Sequence, residues 1–341
     1  MFLGNSKMES LLIISLIFSF LVTLFFTPLW IKKAKNIGLI WEDMNKKGHP
    51  KNVSGSGGII VLFGFLFGVL LYIALKTFIL KTDIYTTQIF ALLMTVFLAG
   101  FIGFVDDIFG WVKGGLSARF RILLLIFAAI PLMVINAGES SMIGIEFGLW
   151  YPLILIPLGV VGASSTFNFI AGYNGIETSQ GIILLGALSF VNYIAGNSWL
   201  ALIGLVMIFC LLAFYVFNKY PAKIFPGDVL TYSVGALIAC MAILGNVEKI
   251  AVFFFIPYIL ETGLKLRGKL RKQSFGKVQE DGTLDVPYEK FYGLEHIAIY
   301  VLKKIKKSGK VYEKEVVYIV NLFQIIIILV GLMLFGGIYA G

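Results

Sequence analysis

The sequence predicts an all-α, polytopic membrane protein of about ten transmembrane helices, and three observations predict it. Of 341 residues, 59% are hydrophobic and only 14% charged, with a mean hydropathy of +0.92, against about 25% charged residues in an ordinary soluble domain. Apolar runs recur along the whole chain, and many reach the roughly 20 residues needed to cross about 30 Å of hydrocarbon. The runs are continuous rather than alternating. Backbone polar groups find no water in lipid, so a continuous run is satisfied as a helix and not as a barrel strand.

Taken in order, spans are expected near residues 9–30, 57–76, 88–105, 121–136, 150–167, 180–196, 198–217, 228–244, 250–266 and 316–340. The first is too long for a signal-peptide core and no small-x-small cleavage site follows it, so it is read as a retained span. The sixth and seventh are separated only by Gly196-Asn197. Cys210 and Cys240 lie inside apolar runs without CxxC spacing, which favours packing over metal or redox chemistry. No internal repeat is visible, nor the inverted halves of many transporters. The chain reads as one membrane-embedded domain over 1–341, with a long loop at 267–315.

Ten spans put both termini on one side and sort the loops into two sets. The set 31–56, 106–120, 168–179, 218–227 and 267–315, with the span-end residues Arg121 and Lys265, holds 24 of the 28 Lys and Arg. The positive-inside rule makes these loops cytoplasmic and both termini external. The net charge of +9 is thereby explained by topology, and no nucleic-acid partner is expected. The expected location is the cell membrane (the ER membrane in a eukaryote), with membrane lipids as neighbours.

Four polar clusters fall on that cytoplasmic side. In GFVDDIFGWVKGGLSARFR, Asp106 and Asp107 end an apolar span and Lys113, Arg119 and Arg121 follow. Such carboxylates can share Mg²⁺ with phosphates or accept a proton, and can equally be a solvated, base-paired loop. In FNFIAGYNGIETSQG, Asn168, Asn174, Gly175 and Glu177 interrupt an apolar stretch, as a ligand-binding segment or as a polar Asn-Gly turn. In KIFPGDVL, Asp228 opens a helix, where Asp is a favoured N-cap and where phosphate can also bind. The 267–315 loop begins with Arg267, Lys269, Arg271, Lys272 and Lys277, either a topology signal or a phosphate clamp. Its later run Lys303, Lys304, Lys306, Lys307 reads as a surface stretch against anionic headgroups.

The order and wording of GFVDD, NFIAGYNGIETSQG and FPGD resemble the polyprenyl-phosphate N-acetylhexosamine-1-phosphate transferase superfamily over roughly residues 40–300. Within it, the sequence is similar to the UDP-N-acetylglucosamine–dolichyl-phosphate N-acetylglucosamine-phosphotransferases of eukaryotes and archaea. Ala171 to Glu177 follows their AGINGLE rather than the bacterial N-x-x-D-G-L-D-G. The bacterial His-rich loop is absent, since the histidines are His49 and His296, both read as structural. The resemblance implies transfer of a sugar phosphate from a UDP-N-acetylhexosamine to a polyprenyl or dolichyl phosphate. It implies Mg²⁺, with Mn²⁺ as a substitute, on Asn168 and Asp228. It places Asp106 and Asp107 near the lipid phosphate, one as a candidate base, and Arg121 where relatives carry a phosphate-binding Lys. Asn174, Gly175 and Glu177 fall in the uridine-side loop, and Asn45 and Lys46 in the preceding substrate segment.

The chain departs from the pattern at Ser165 (Asn in the family), at Val53-Ser54 (Pro-Glu), and in lacking a His-x-Arg segment, whose pyrophosphate-clamping role would fall to Arg271 or Lys272. A transporter of ions or lipid-linked sugars is the rival from another class, although transporter sites lie near the bilayer midplane. The DG-x2-AR signature of CDP-alcohol phosphotransferases is absent. The sugar, the carrier and the oligomeric state stay open, a homodimer being one arrangement.

Overall fold

The computed structural model describes residues 2–139, 141–142 and 145–339. Among these, seven helical segments are long and apolar enough to cross a membrane: Ile13–Ile37, Gly58–Leu80, Thr86–Lys113, Tyr151–Ile170, Ser198–Asn218, Gly227–Leu244 and Glu313–Tyr339. The elements are α1 (Phe2–Ile37), hairpin β1 (Ile40–Glu42) and β2 (Lys51–Ser54), α2 (Gly58–Ala74) with a π-helical extension Leu75–Leu80, α3 (Thr86–Lys113), α4 (Ala118–Ala128) and α5 (Ile130–Val134). A short hairpin follows, β3 (Ser141–Met142) and β4 (Ile145–Glu146), then α6 (Ile156–Phe167) after a π-helical turn Tyr151–Leu155, α7 (Ile176–Ile194), α8 (Ser198–Asn218) and α9 (Gly227–Leu244). The chain ends with α10 (Glu248–Phe254), α11 (Ile256–Arg267), β5 (Lys277–Val278), β6 (Leu284–Asp285), α12 (Leu294–Ile305) and α13 (Glu313–Tyr339).

Helix occurs at all ten expected positions, and the three that fall short of continuous apolar spans have local causes. The segment expected at 121–136 is divided at Ala129, ahead of Pro131, and that at 250–266 at Phe255, ahead of Pro257. Proline has no N–H to continue the preceding helix. The segment expected at 180–196, α7, opens with the buried polar run Glu177-Thr178-Ser179-Gln180. Residue 340 of the last expected span lies outside the described residues. The third expected span is longer than its apolar run: α3 continues two turns past Val105 to Lys113, so the aspartates lie within a helix and not in a loop.

Helix α9 is the hub. Every residue from Val229 to Ile243 is buried, against α3, α6, α2 and α7. Large apolar side chains elsewhere point outward, including Phe25, Leu29, Val134 and Met333, as lipid-facing residues do. Two buried threonines of α1 are satisfied within their own helix: Thr23 donates to the Ser19 carbonyl and Thr27 to that of Thr23. Small residues let helices approach without a hydrophobic driving force between them. The tightest approach to another helix's backbone is at Gly103 of α3, where an added Cβ would stand 2.3 Å from the Asp228 carbonyl oxygen.

The 267–315 segment is partly ordered secondary structure: the hairpin β5–β6 and the amphipathic α12, which buries Leu294, His296, Ala298, Ile299 and Leu302. His296 Nδ1 accepts the Tyr292 N–H at 3.2 Å. Burial, and Lys265 nearby, push its imidazole down to about 4, so the ring is neutral, as an accepting Nδ1 requires. Lys303 pairs with Asp285 and Lys306 with Glu315, so part of the basic run is engaged within the protein.

Gly103→Ala should overpack the α3–α9 contact and lower stability by about 1–3 kcal/mol. Thermal unfolding of the detergent-solubilised protein, compared with the open-space control Gly186→Ala, measures it.

Candidate active site

Adjacent residues on a helix diverge by about 100°, and the two aspartates accordingly act on different partners. Asp106 closes the turn after α3: its Oδ1 accepts the Leu116 N–H at 2.7 Å and its Oδ2 pairs with Arg121 Nη1 at 2.8 Å. Ser117 caps α4, accepting the Phe120 N–H at 3.4 Å, which starts the helix that presents Arg121. The guanidinium also reaches the Tyr232 hydroxyl at 3.4 Å and lies 3.7 Å from Asp228 Oδ2.

Asp107 turns to α9, where its Oδ1 accepts the Asp228 N–H at 2.8 Å. This corrects the expectation that Asp228 is the N-cap. The helix begins at Gly227, behind Pro226, whose side chain makes no cap bond; the acceptor comes from α3 instead. A helix start leaves N–H groups unpaired, and a carboxylate there also meets the positive end of the dipole. Asp228, relieved of capping, directs Oδ1 to Asn168 Nδ2 at 3.0 Å. Gly227 is required by shape and by backbone: its φ is +73° and an added Cβ would stand 2.1 Å from Asp107 Oδ2. Asp106, Asp107, Arg121, Asn168 and Asp228, drawn from four segments, therefore meet at one end of the bundle.

Three of them, Asp107, Asn168 and Asp228, line a cavity of about 610 Å³ beside Glu177, Gly172 and Tyr173. The segment 223–226 is held there by the start of α2: Phe225 N–H donates to the Ser54 carbonyl, and the Gly57 and Gly58 N–H groups to those of Phe225 and Pro226, at 2.7–2.9 Å. The remaining wall was not foreseen from the sequence. It comprises Trp41, Glu42 and Lys51 from the β1–β2 hairpin, with Phe225 and Phe275. Phe225 stands in the FPGD motif itself and was open to notice. Glu42 and Lys51 face each other only through strand pairing, which no local pattern announced.

Of the other expected residues, Asn45, Lys46, Asn174 and Gly175 form a layer behind the cavity. Asn45 Nδ2 donates to the Gly172 carbonyl at 2.9 Å and its Oδ1 accepts the Gly276 N–H at 3.2 Å. Lys46 pairs with Asp43 and donates to Asn174 Oδ1 at 3.1 Å. Asn174 Oδ1 also accepts the Ala222 N–H at 2.7 Å. Gly175 immediately precedes α7. Glu177 folds back so that Oε1 accepts the Gly172 N–H at 3.1 Å. Arg271 and Lys272 do not line the cavity; Arg271 is exposed, and the Lys272 ammonium lies 4.8 Å from the Tyr288 ring centre.

The oxygen donors suit a hard divalent cation. Asp107 Oδ2 is buried, with the Ser56 hydroxyl beside the carboxylate. A buried carboxylate is costly, and a shared cation relieves that cost. Among the described residues no three His, Cys, Asp or Glu side chains converge as an all-protein metal cage. Magnesium needs none, since it takes one or two carboxylates and completes its shell with phosphate and water oxygens.

Comparison with known proteins gives the same class. Residues 89–246, which carry all three motifs, match the family model described as Glycosyl transferase family 4. A Saccharolobus solfataricus protein provisionally named as a UDP-N-acetylglucosamine–dolichyl-phosphate N-acetylglucosaminephosphotransferase is 36% identical, over 90% of this chain and 92% of its own length. The Dictyostelium discoideum protein named for the same activity is 25% identical over 76% of this chain and 73% of its own. A Halalkalibacterium halodurans phospho-N-acetylmuramoyl-pentapeptide-transferase is 28% identical, over 77% and 86%. The chain belongs to glycosyl transferase family 4, among the polyprenyl-phosphate N-acetylhexosamine-1-phosphate transferases that its motifs resemble.

Asp107→Asn keeps a carbonyl acceptor for the Asp228 N–H and should fold as the parent does. Asp107→Leu leaves that buried N–H bare and should lose about 1–3 kcal/mol. Equal thermal midpoints for the two variants would contradict the capping role.

Proposed function

We propose that the protein transfers N-acetylglucosamine-1-phosphate, or a related N-acetylhexosamine-1-phosphate, from its UDP-sugar to a polyprenyl or dolichyl phosphate, releasing UMP, as the first step of lipid-linked glycan synthesis. The observation that carries this reading is the meeting of Asp107, Asn168 and Asp228 at the wall of one cavity, with Arg121 and Asp106 paired directly behind Asp228. The names of the relatives support it.

An oxygen of the lipid phosphate attacks the β-phosphorus of the donor. The bond from that phosphorus to the oxygen bridging the two phosphates breaks, and UMP leaves with that oxygen. Transfer of this kind rests on positioning and charge neutralisation. Asp228 and Asn168 would hold Mg²⁺ or Mn²⁺, which would supply neutralising charge to the diphosphate. Arg121, held by Asp106 and Tyr232, sets a second positive charge beside it. Asp107 is the carboxylate of the pair that lines the cavity, while both oxygens of Asp106 are engaged elsewhere. It therefore takes the role of keeping the acceptor phosphate deprotonated. Aromatic Phe225 and Phe275 offer flat surfaces to the nucleotide. A second cavity of about 310 Å³, lined by Leu158, Gly159, Gly162, Ala239 and Ala242, opens between α6 and α9 and suits the apolar carrier chain.

In this reading all ten helical segments cross the membrane, both termini are external, and the basic loops and the site face the cytoplasm. The chain acts as one membrane-embedded domain, and a homodimer is compatible with it.

Purified protein given UDP-N-acetylglucosamine, Mg²⁺ and dolichyl phosphate should release UMP. Release should stop with EDTA and fall at least about 100-fold in Asp228→Ala. Arg121→Lys should lose about tenfold, because a point charge cannot keep the three-way contact. Undiminished release in Asp228→Ala would overturn the assignment.

A further inference from the structure

Asn174 is tied on every side. Its side chain serves Lys46, Asp43 and Ala222, at 3.1, 3.4 and 2.7 Å. Its own N–H donates to Glu313 Oε1 at 2.8 Å. That partner is the first residue of the last helix, α13, 139 positions further along the chain. Glu313 is only 3% exposed, and the Asn45 side chain also lies against its carboxylate. Burying a carboxylate costs more than burying an apolar side chain of the same size, so packing alone does not account for an acid at this position. The N-terminus of α13 favours negative charge there. One turn into α7 a second link exists, where Asn321 of α13 joins Ser179 and Gln180, both at 2.9 Å.

Resting on the function proposed above, we infer that Glu313 is a positioning residue for the nucleotide-sugar side of the cavity. Through the Asn174 N–H it sets the turn 172–177. That turn carries Gly172, Tyr173 and Glu177 into the cavity wall, and the Glu177 carboxylate is in turn bonded to Gly172. Glu313 touches no reacting atom. Its effect is to hold the donor-side turn in register with Asn168, which lies six residues earlier and belongs to the acid cluster. The last helix is then a working part of the site and not merely an added span.

The measurement is steady-state UMP release by the full-length protein, with UDP-N-acetylglucosamine and dolichyl phosphate varied separately. Glu313→Ala should raise KM for the UDP-sugar about tenfold while kcat stays within about threefold and KM for the lipid phosphate does not move. Glu313→Gln, whose amide oxygen can accept the same N–H, should recover KM to within about twofold of the parent. Asn321→Ala loosens α13 from α7 without touching Asn174, and should leave KM unchanged. Should Glu313→Ala not purify as a folded species, Glu313→Asp, one methylene shorter, withdraws the acceptor and should raise KM in the same way. An active parent with unmoved KM in these variants, or an equal rise in Asn321→Ala, overturns the inference alone. A parent that releases no UMP defeats the function reading, and the inference with it.

Discussion

At Gly103 the backbone of α3 lies so close to α9 that an added Cβ would stand 2.3 Å from the Asp228 carbonyl, and one turn further on Asp107 accepts the Asp228 N–H. The two contacts fix both the separation and the register of the helices. Hydrogen-bond distance leaves little slack, so the Asp228 carboxylate can point in few directions other than toward Asn168 and Arg121. Asp106, one residue before Asp107, then holds Arg121 from the other side. A carboxylate that caps a helix in another part of the chain thus acts as a hinge pin for the whole acid cluster.

The surroundings explain why such a cluster survives in so apolar a chain. Charged groups are costly in hydrocarbon unless paired or facing a water-filled space. Here they gather where several helices begin or end, and where backbone groups need partners in any case. Asp106, Asp107, Glu177 and Glu313 each accept a backbone N–H. Of these, Asp107 and Glu177 also line the cavity.

Much of the fold was legible along the chain because the helix and the bilayer both act locally. A continuous apolar run of sufficient length is helical whatever its neighbours are, and helix appears at each expected position. Where the reading slipped, tertiary contacts had outweighed local signals. Two more turns of α3 form beyond the apolar run, where Asp106 is buried and paired with Arg121. Asp228 looks like an N-cap from its residue type alone, but the cap arrives from α3.

By itself the sequence determined the class of protein, the identity of the acids and amides, and their gathering into three motifs, since these follow from residue type and short spacing. Only the tertiary structure decided which partners each acid takes, that Asn45, Lys46 and Asn174 stand behind the cavity, and that Trp41, Glu42, Lys51 and Phe275 help to line it. It also decided the link from Glu313 to Asn174. The reason is physical: a hydrogen bond between residues more than a hundred positions apart depends on how whole helices pack, and no periodicity within either segment records that packing.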